Sequence, residues 1–212
     1  MNLLRHTISA GALAIALTVA SQAHADLIIT ANGTQESTDP TNTFTSFSGS
    51  VGSFNINLIS GTGVNAFGGN GNLLDVGSLN ISTSGSGGLT VLVTETNLSL
   101  GSGSFTFNLD FTGTLTNLTA TRSIFLDAGN GANALTTLLG STTSGNFITA
   151  SLPQSLTGPF SLTEEIVLTA TGPGATLSSD DKVKVPEPGS LALLGVGLVG
   201  FGWFARRRRK SA

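Results

Sequence analysis

Apolar and polar residues alternate along several short segments of the chain, and this period of two constrains the fold more than any other feature. The clearest case is the segment Phe105–Phe111, in which four apolar side chains alternate with three polar ones. Successive side chains of an extended strand point to opposite faces, so such a segment has one apolar face and one polar face. The pattern therefore predicts half-buried β-strands.

Similar alternation recurs between runs that are rich in Gly, Ser and Asn, such as residues 68–72 and 84–88. The stronger segments are 54–58, 89–93, 105–111 and 160–170, and the weaker ones are 27–31, 73–81, 123–127 and 147–152. Two sheets packed face to face bury one face of every strand. The sequence therefore predicts an all-β fold, a single β-sandwich of about eight antiparallel strands. A β-solenoid is the main alternative, but it needs a fixed repeat length that these segments do not show.

One segment departs from this alternation. Residues Ala128–Gly140 carry Leu135, Leu138 and Leu139 at a spacing that suits a short helix or helical turn as well as a loop. Long helices are not expected elsewhere, because charged residues make up only 10% of the chain and the usual residues of a helix surface are correspondingly scarce.

The first 25 residues have the order of a secretory signal peptide. Arg5 precedes an uncharged run over residues 7–20, and the small residues Ala23 and Ala25 precede a polar chain that begins at Asp26. This order predicts cleavage by signal peptidase before Asp26 and an exported mature chain. A retained membrane anchor is the alternative, but the run is short for a span that needs roughly 20 apolar residues.

The C-terminal part of the sequence carries a second apolar segment. Residues 191–205 contain no charge, and they are followed by the basic cluster Arg206, Arg207, Arg208, Arg209 and Lys210. At a rise of about 1.5 Å per residue, residues 189–205 form a helix about 25 Å long, which just spans a bilayer core. Basic residues stay on the cytoplasmic side of the membrane, so the rest of the chain is predicted to lie outside.

The tripeptide Pro186-Glu187-Pro188 stands directly before this segment. Its two prolines keep the chain extended and stop a helix from continuing upstream, which leaves an accessible peptide beside the membrane. Together with the apolar segment and the basic cluster, it resembles the PEP-CTERM sorting signal of Gram-negative bacteria, over residues 185–212. The resemblance implies that exosortase, a membrane-embedded cysteine protease, recognises Pro186, Glu187 and Pro188 and removes the anchor. The protein would then pass to the cell surface or an exopolysaccharide matrix. An ordinary single-pass tail anchor is the alternative.

These features divide the chain into four parts. Residues 1–25 are the predicted signal peptide, 26–171 the β-sandwich body, 172–185 a linker and 186–212 the sorting tail. The linker is inferred because alternation is lost there and Gly, Pro and charged residues take its place. Its predicted role is to hold the body clear of the membrane.

Charge and residue types exclude several functions for residues 26–185. Eleven acidic side chains against three basic ones give this part a net charge of −8, which argues against nucleic-acid binding. Both histidines, His6 and His24, lie in the predicted signal peptide, and residues 26–185 contain no Cys, Tyr or Trp. A Ser-His-Asp triad, a Cys nucleophile and a His-ligated metal site are therefore excluded.

Paired carboxylates remain as a route to glycoside hydrolysis. Glu164 and Glu165, however, are adjacent, and on a strand they point to opposite faces. The sequence therefore predicts a protein that is not an enzyme and has no catalytic residue and no cofactor. Loop oxygens are also conceivable calcium ligands, although their spacing matches no known calcium loop and solvated carboxylates are the simpler interpretation. These residues are Asp110, Asp127, Asn130, Asn133, Asp180 and Asp181.

The predicted function follows from the two export signals. The sequence predicts a structural protein of the cell surface or extracellular matrix, associated with exopolysaccharide or biofilm, that is anchored transiently in the inner membrane. Its predicted partners are signal peptidase, an exosortase-type protease and an exopolysaccharide. A module that binds polysaccharide or protein, with or without calcium, is the alternative.

Overall fold

The computed structural model describes residues 26–40, 44–61, 72–143 and 145–185, and these residues form fourteen β-strands and no helix. The strands are β1 (Leu27–Ala31), β2 (Thr34–Asp39), β3 (Phe44–Val51), β4 (Phe54–Gly61), β5 (Asn72–Thr83), β6 (Gly87–Leu98), β7 (Gly103–Phe105), β8 (Asn108–Thr116), β9 (Leu118–Asp127), β10 (Thr137–Thr142), β11 (Phe147–Ala150), β12 (Gln154–Leu156), β13 (Phe160–Ala170) and β14 (Thr176–Lys184). The predicted all-β class is confirmed, but there are more strands than the eight or so expected.

The strands build two six-stranded antiparallel sheets and a two-stranded ribbon. Sheet A has the order β10-β9-β13-β6-β1-β2, sheet B has the order β11-β8-β14-β5-β4-β3, and the ribbon pairs β7 with β12. Several connections, such as β5 to β6, β8 to β9 and β13 to β14, lead from one sheet to the other. The chain therefore crosses between the two sheets several times.

Apolar side chains of both sheets form one core between them. Sheet A contributes Ile29, Val93 and Ile166 among others, and sheet B contributes Leu58 and Leu109 among others. Full burial of such a side chain stabilises the fold by about 1.5–3 kcal/mol. This shared burial holds the two sheets face to face.

The strand directions define two ends of the body. β14 finishes at Lys184, and β5 and β8 begin beside it, since Lys184 pairs with Asn72 and Asn108. Phe107, just before β8, packs edge to face on Phe160 at the start of β13, with ring centroids 6.1 Å apart. β1 begins at this same end, because it runs antiparallel to β6, which runs antiparallel to β13. We call this the tail end, and the end with the turns at 32–33, 52–53 and 171–175 the far end.

The linker predicted at residues 172–185 is corrected by the structure. Thr176–Lys184 form β14, which lies at the centre of sheet B between β8 and β5. The inward side chains of this strand are Leu177, Ser179, Asp181 and Val183, and all four are buried. Two of the four are polar, so the segment shows no continuous apolar alternation.

Two further expectations are corrected. The helix considered for Ala128–Gly140 does not form, because turns lead to residue 136 and β10 begins at Thr137. The segment Phe105–Phe111 is not one strand, because β7 ends at Phe105 and pairs with β12, whereas β8 begins at Asn108.

Candidate processing site

The predicted processing tripeptide begins one residue beyond the part of the chain that the structure describes. β14 ends at Lys184, and Val185 packs against the apolar core. Pro186 therefore follows almost directly on a strand that is paired on both sides, without a spacer. Residues 186–212, with Pro186, Glu187, Pro188 and the basic cluster Arg206–Lys210, lie outside the described residues. No helix among the described residues is long and apolar enough to cross a membrane.

The predicted signal-peptidase site lies at the same end of the body. The amide nitrogen of Asp26 donates to Thr96 Oγ1 at 3.1 Å, and the carbonyl oxygen of Asp26 accepts from the Thr96 amide at 3.0 Å. The next residue, Leu27, is fully buried at the start of β1. Ala23 and Ala25 lie outside the described residues. Because β1 begins at the tail end, both predicted cleavage positions border this end.

A buried ion pair joins β14 to the opposite sheet. Arg122 of β9 donates through Nη1 to Asp181 Oδ1 at 2.6 Å, and both side chains are fully buried. Arg122 Nη1 also donates to the Thr112 carbonyl at 3.2 Å, and Nη2 donates to the Gly145 carbonyl at 2.8 Å. Asp181 Oδ1 accepts from the Thr112 amide at 3.1 Å, and the guanidinium lies 5.5 Å from the centre of the Phe111 ring. β14 therefore supplies the carboxylate that neutralises the arginine of sheet A.

Glu164 of β13 completes this buried cluster. Burial raises the pKa of Glu164 well above its usual value, the neighbouring Asp181 raises this pKa further, and Arg122 opposes the shift. Burial also raises the pKa of Asp181, while hydrogen bonding from Glu164 and the charge of Arg122 oppose that rise. These directions fit a neutral Glu164 beside an ionised Asp181 and a charged Arg122. The buried cluster therefore explains why Glu164, a polar residue, lies on the apolar face of residues 160–170.

The cluster is positioned to hold the sheets together and not to hydrolyse a glycan. Glu164 and Asp181 are shielded from solvent, with exposed fractions of 0% and 1%, so a sugar cannot reach their carboxyl groups. Glu165, the adjacent carboxylate, points to the other face of β13, as its sequence position predicts.

Five of the six residues considered as calcium ligands have a protein partner. Asp127 accepts hydrogen bonds from the Gly131 amide and from Thr136, and these bonds hold the pKa of Asp127 below its usual value. The other partners are Asn97 for Asn130, Thr94 for Asn133, Lys182 for Asp180 and Arg122 for Asp181, while Asp110 lies opposite Lys182. Within the described part of the chain, no three His, Cys, Asp or Glu residues are grouped to hold a metal ion.

A shallow groove of about 560 Å³ crosses the outer face of sheet B near the far end. Its polar side chains come from four adjacent strands and form two rows across them: Ser50, Asn55, Ser82 and Thr176, then Ser48, Asn57, Asn80 and Ser178. No charged residue lines the groove. The sequence shows these residues as alternating Ser and Asn, but it does not show that four strands bring them together.

Comparison with known proteins identifies the C-terminal segment. A family model described as the PEP-CTERM protein-sorting motif matches residues 184–209. The match begins at the last residue of β14 and extends into the basic cluster, and it includes none of the body upstream. The sequence matches none of the curated proteins with which it was compared.

Some solved structures show a distant likeness to the chain. One is the enzymatically active domain of tailspike protein 4 of bacteriophage CBA120, with 16% identity over 68% of this chain and 19% of that one, and a TM-score of 0.31. Another is the infectious bursal disease virus Gx strain, with 11% identity over 85% of this chain and 53% of that one, and a TM-score of 0.27. At these TM-scores neither likeness supports an inference about function.

Proposed function

We propose that the body of this chain serves as a structural component of the extracellular matrix. The chain carries a PEP-CTERM sorting motif, which marks it for exosortase processing and export to the cell surface. We infer that the body is a single β-sandwich, residues 26–185. The observation that supports export and release of the body is that the sorting motif begins where the body ends. Removal of the chain beyond Val185 would therefore release a complete body.

The chemistry of the body supports a structural role. The buried carboxyl groups of Glu164 and Asp181 lie in one cluster with Arg122, and the body contains no His, Cys, Tyr or Trp. We therefore propose that the protein is not an enzyme and needs no cofactor. Its net charge of −8 keeps a surface of Ser, Thr and Asn soluble. Signal peptidase, exosortase and an exopolysaccharide are the proposed partners.

β14 limits where the processing protease can cut. Cleavage before Lys184 would remove residues that pair with both β5 and β8. Cleavage after Val185 leaves the sheet intact. The proposed cleavage site therefore lies at or after the bond between Val185 and Pro186.

Replacement of Pro186, Glu187 and Pro188 by three alanines is expected to retain the protein in the inner membrane. Alanine favours helix, so the extended peptide that the prolines hold would join the apolar segment and be lost as a recognition site. Intact masses from membrane, surface and medium fractions of the host measure the effect. The variant should begin at Asp26 and still contain Arg206–Lys210, whereas the unaltered protein should lack them outside the membrane.

The matched control for this experiment is Pro173→Ala. Pro173 lies in the exposed turn at the far end, so this variant should be processed like the unaltered protein. Surface delivery of the triple alanine variant at the normal level would contradict the proposal.

A polysaccharide-binding module is the second candidate, and the uncharged groove on sheet B favours it. Hydroxyl and amide side chains both donate and accept hydrogen bonds, as the hydroxyl groups of a sugar require. We expect the double variant Asn57→Ala and Asn80→Ala to bind host exopolysaccharide about tenfold more weakly, which corresponds to about 1.4 kcal/mol. These two residues are direct cross-strand partners in the groove.

Titration of the full chain with that polysaccharide, with and without a chelator, measures this effect. Thr38→Ala on the exposed side of β2 is the control and should bind normally. If the double variant and the control bound the polysaccharide with equal affinity, the groove would not be the binding site.

A further inference from the structure

Large apolar side chains are exposed mainly towards the tail end of the body. Eight such side chains are exposed among the described residues. Six of them lie in strands or loops of the half of the body next to this end: Phe44, Leu135, Leu138, Phe147, Ile148 and Leu152. Ile59 lies level with the middle of β14. Val167, on the outer face of sheet A, is nearer the far end. Single exposed apolar residues are common on protein surfaces, but a grouping at one end indicates a contact.

The two most exposed members of this group lie close to the end of β14. Leu152 is 81% exposed and Ile148 is 74% exposed. Leu152 follows Ser151, whose amide donates to the Phe107 carbonyl at 2.8 Å and whose hydroxyl accepts from the Phe107 amide at 3.0 Å. These bonds fix the Leu152 loop at the start of β8. Ile148 lies opposite Asp110, which pairs in turn with Lys182 of β14.

The length of the chain beyond Val185 limits the distance from the tail end to a membrane. Five residues, 186–190, separate Val185 from the apolar segment 191–205. Fully extended, they reach at most about 18 Å. A sheet of six strands is about 29 Å wide at ~4.8 Å per strand, so this tether is shorter than the body is wide. With the apolar segment in a bilayer, the tail end must lie beside the bilayer surface.

We propose that, before processing, the tail end of the body rests on the inner-membrane surface, with Leu152 and Ile148 among the lipid headgroups. The inference rests on the proposed function, in which residues 191–205 anchor the unprocessed chain. Lys184 is the last residue of β14 and lies next to the tether, so its positive charge is attracted to anionic lipid. The contact keeps the peptide after Val185 at the level where a membrane-embedded protease acts.

The contact depends on the tether. A few partly inserted side chains bind a bilayer weakly, and the tether raises their effective concentration at its surface. Removal of the tail therefore also ends the membrane contact, and the processed body leaves without a separate release step.

Fluorescent labels at single cysteines test this contact, because the chain has no cysteine of its own. The full chain carries Leu152→Cys or Ile148→Cys, labelled with an environment-sensitive fluorophore, in vesicles of three parts phosphatidylethanolamine to one part phosphatidylglycerol. Gly172→Cys is the control, since Gly172 lies at the far end and a Cβ there meets no atom within 4 Å. We expect blue-shifted emission and quenching by headgroup-labelled lipid at 152 and 148, and neither at 172.

Each other outcome overturns a defined statement. Vesicles that retain the chain on flotation but show the same unquenched emission at 152, 148 and 172 overturn this inference and leave the proposed function standing. A blue shift without quenching by lipid indicates a protein contact, such as a second copy, and also overturns it. A chain that does not float with the vesicles contradicts the membrane stage of the proposed function itself.

Discussion

A chain from Asp26 to Gly174 is expected not to fold, whereas a chain from Asp26 to Val185 is expected to unfold cooperatively. The shorter chain lacks β14, so β5 and β8 lose their shared partner at the centre of sheet B. It also loses the buried Leu177 and Val183, each worth about 1.5–3 kcal/mol. Arg122 is left buried without its carboxylate, at about 3–5 kcal/mol. The combined loss is comparable with the whole stability of a domain, about 5–15 kcal/mol.

Circular dichroism and urea denaturation of the two chains measure this difference. A chain from Asp26 to Pro188 is the matched control and should behave like the chain that ends at Val185, because residues 186–188 follow β14. If the chain that ends at Gly174 showed the same unfolding midpoint as the longer chains, β14 would be dispensable. The linker interpretation of residues 172–185 would then stand.

The sequence predicted best those strands whose inward residues are all or nearly all apolar. Phe54, Ile56 and Leu58 of β4 are an example, and each of these side chains is buried as expected. β2 (Thr34–Asp39) and β3 (Phe44–Val51) were not predicted, because they consist largely of polar residues and show no clear alternation. β2 is an edge strand of sheet A, and β3 is an edge strand of sheet B. Position at an edge depends on tertiary pairing, which periodicity does not report.

The sequence around Arg122 indicates that its charge is buried, but it does not show that Asp181 is its partner. Arg122 continues an inward alternation with Ala120, Ile124 and Leu126, and all four side chains are buried. Asp181 lies 59 residues further along, in a segment without obvious alternation. A charge inside an apolar alternation indicates a buried partner of opposite sign, but only the fold shows which carboxylate it is. The sorting tail was recognisable because its signal is the order of neighbouring residues.

Asp181→Ala is expected to lower the free energy of unfolding by about 3–5 kcal/mol, because it leaves the Arg122 guanidinium buried without its counter-ion. Urea denaturation at pH 7 measures the loss. Asp180→Ala on the same strand is the matched control. Asp180 is partly exposed and pairs with Lys182 at 2.8 Å, so its removal should cost at most about 1 kcal/mol. Equal losses in the two variants would contradict the role of the buried pair.

The pH dependence of stability tests which carboxyl group of the cluster carries the charge. A raised pKa in the folded state means that folded Glu164 keeps a proton that the unfolded chain releases above about pH 4.3. This contribution to stability is complete below that pH and is lost as the pH rises through the folded pKa. The unaltered protein should therefore lose stability relative to Glu164→Gln as the pH rises above about 4.3, because the neutral amide of Gln does not titrate.

The comparison between these two proteins reports the coupled pair of Glu164 and Asp181, because Glu164 also affects the pKa of Asp181. Asp75, whose pKa burial raises, and Asp127, whose pKa is lowered, titrate equally in both. At pH 7, Glu164→Gln should cost much less than Asp181→Ala, because it replaces one neutral group by another. If Glu164→Gln were instead as damaging as Asp181→Ala, Glu164 would carry the negative charge opposite Arg122. The ion pair would then lie within sheet A, between β13 and β9, and β14 would make no electrostatic contribution to holding the two sheets together.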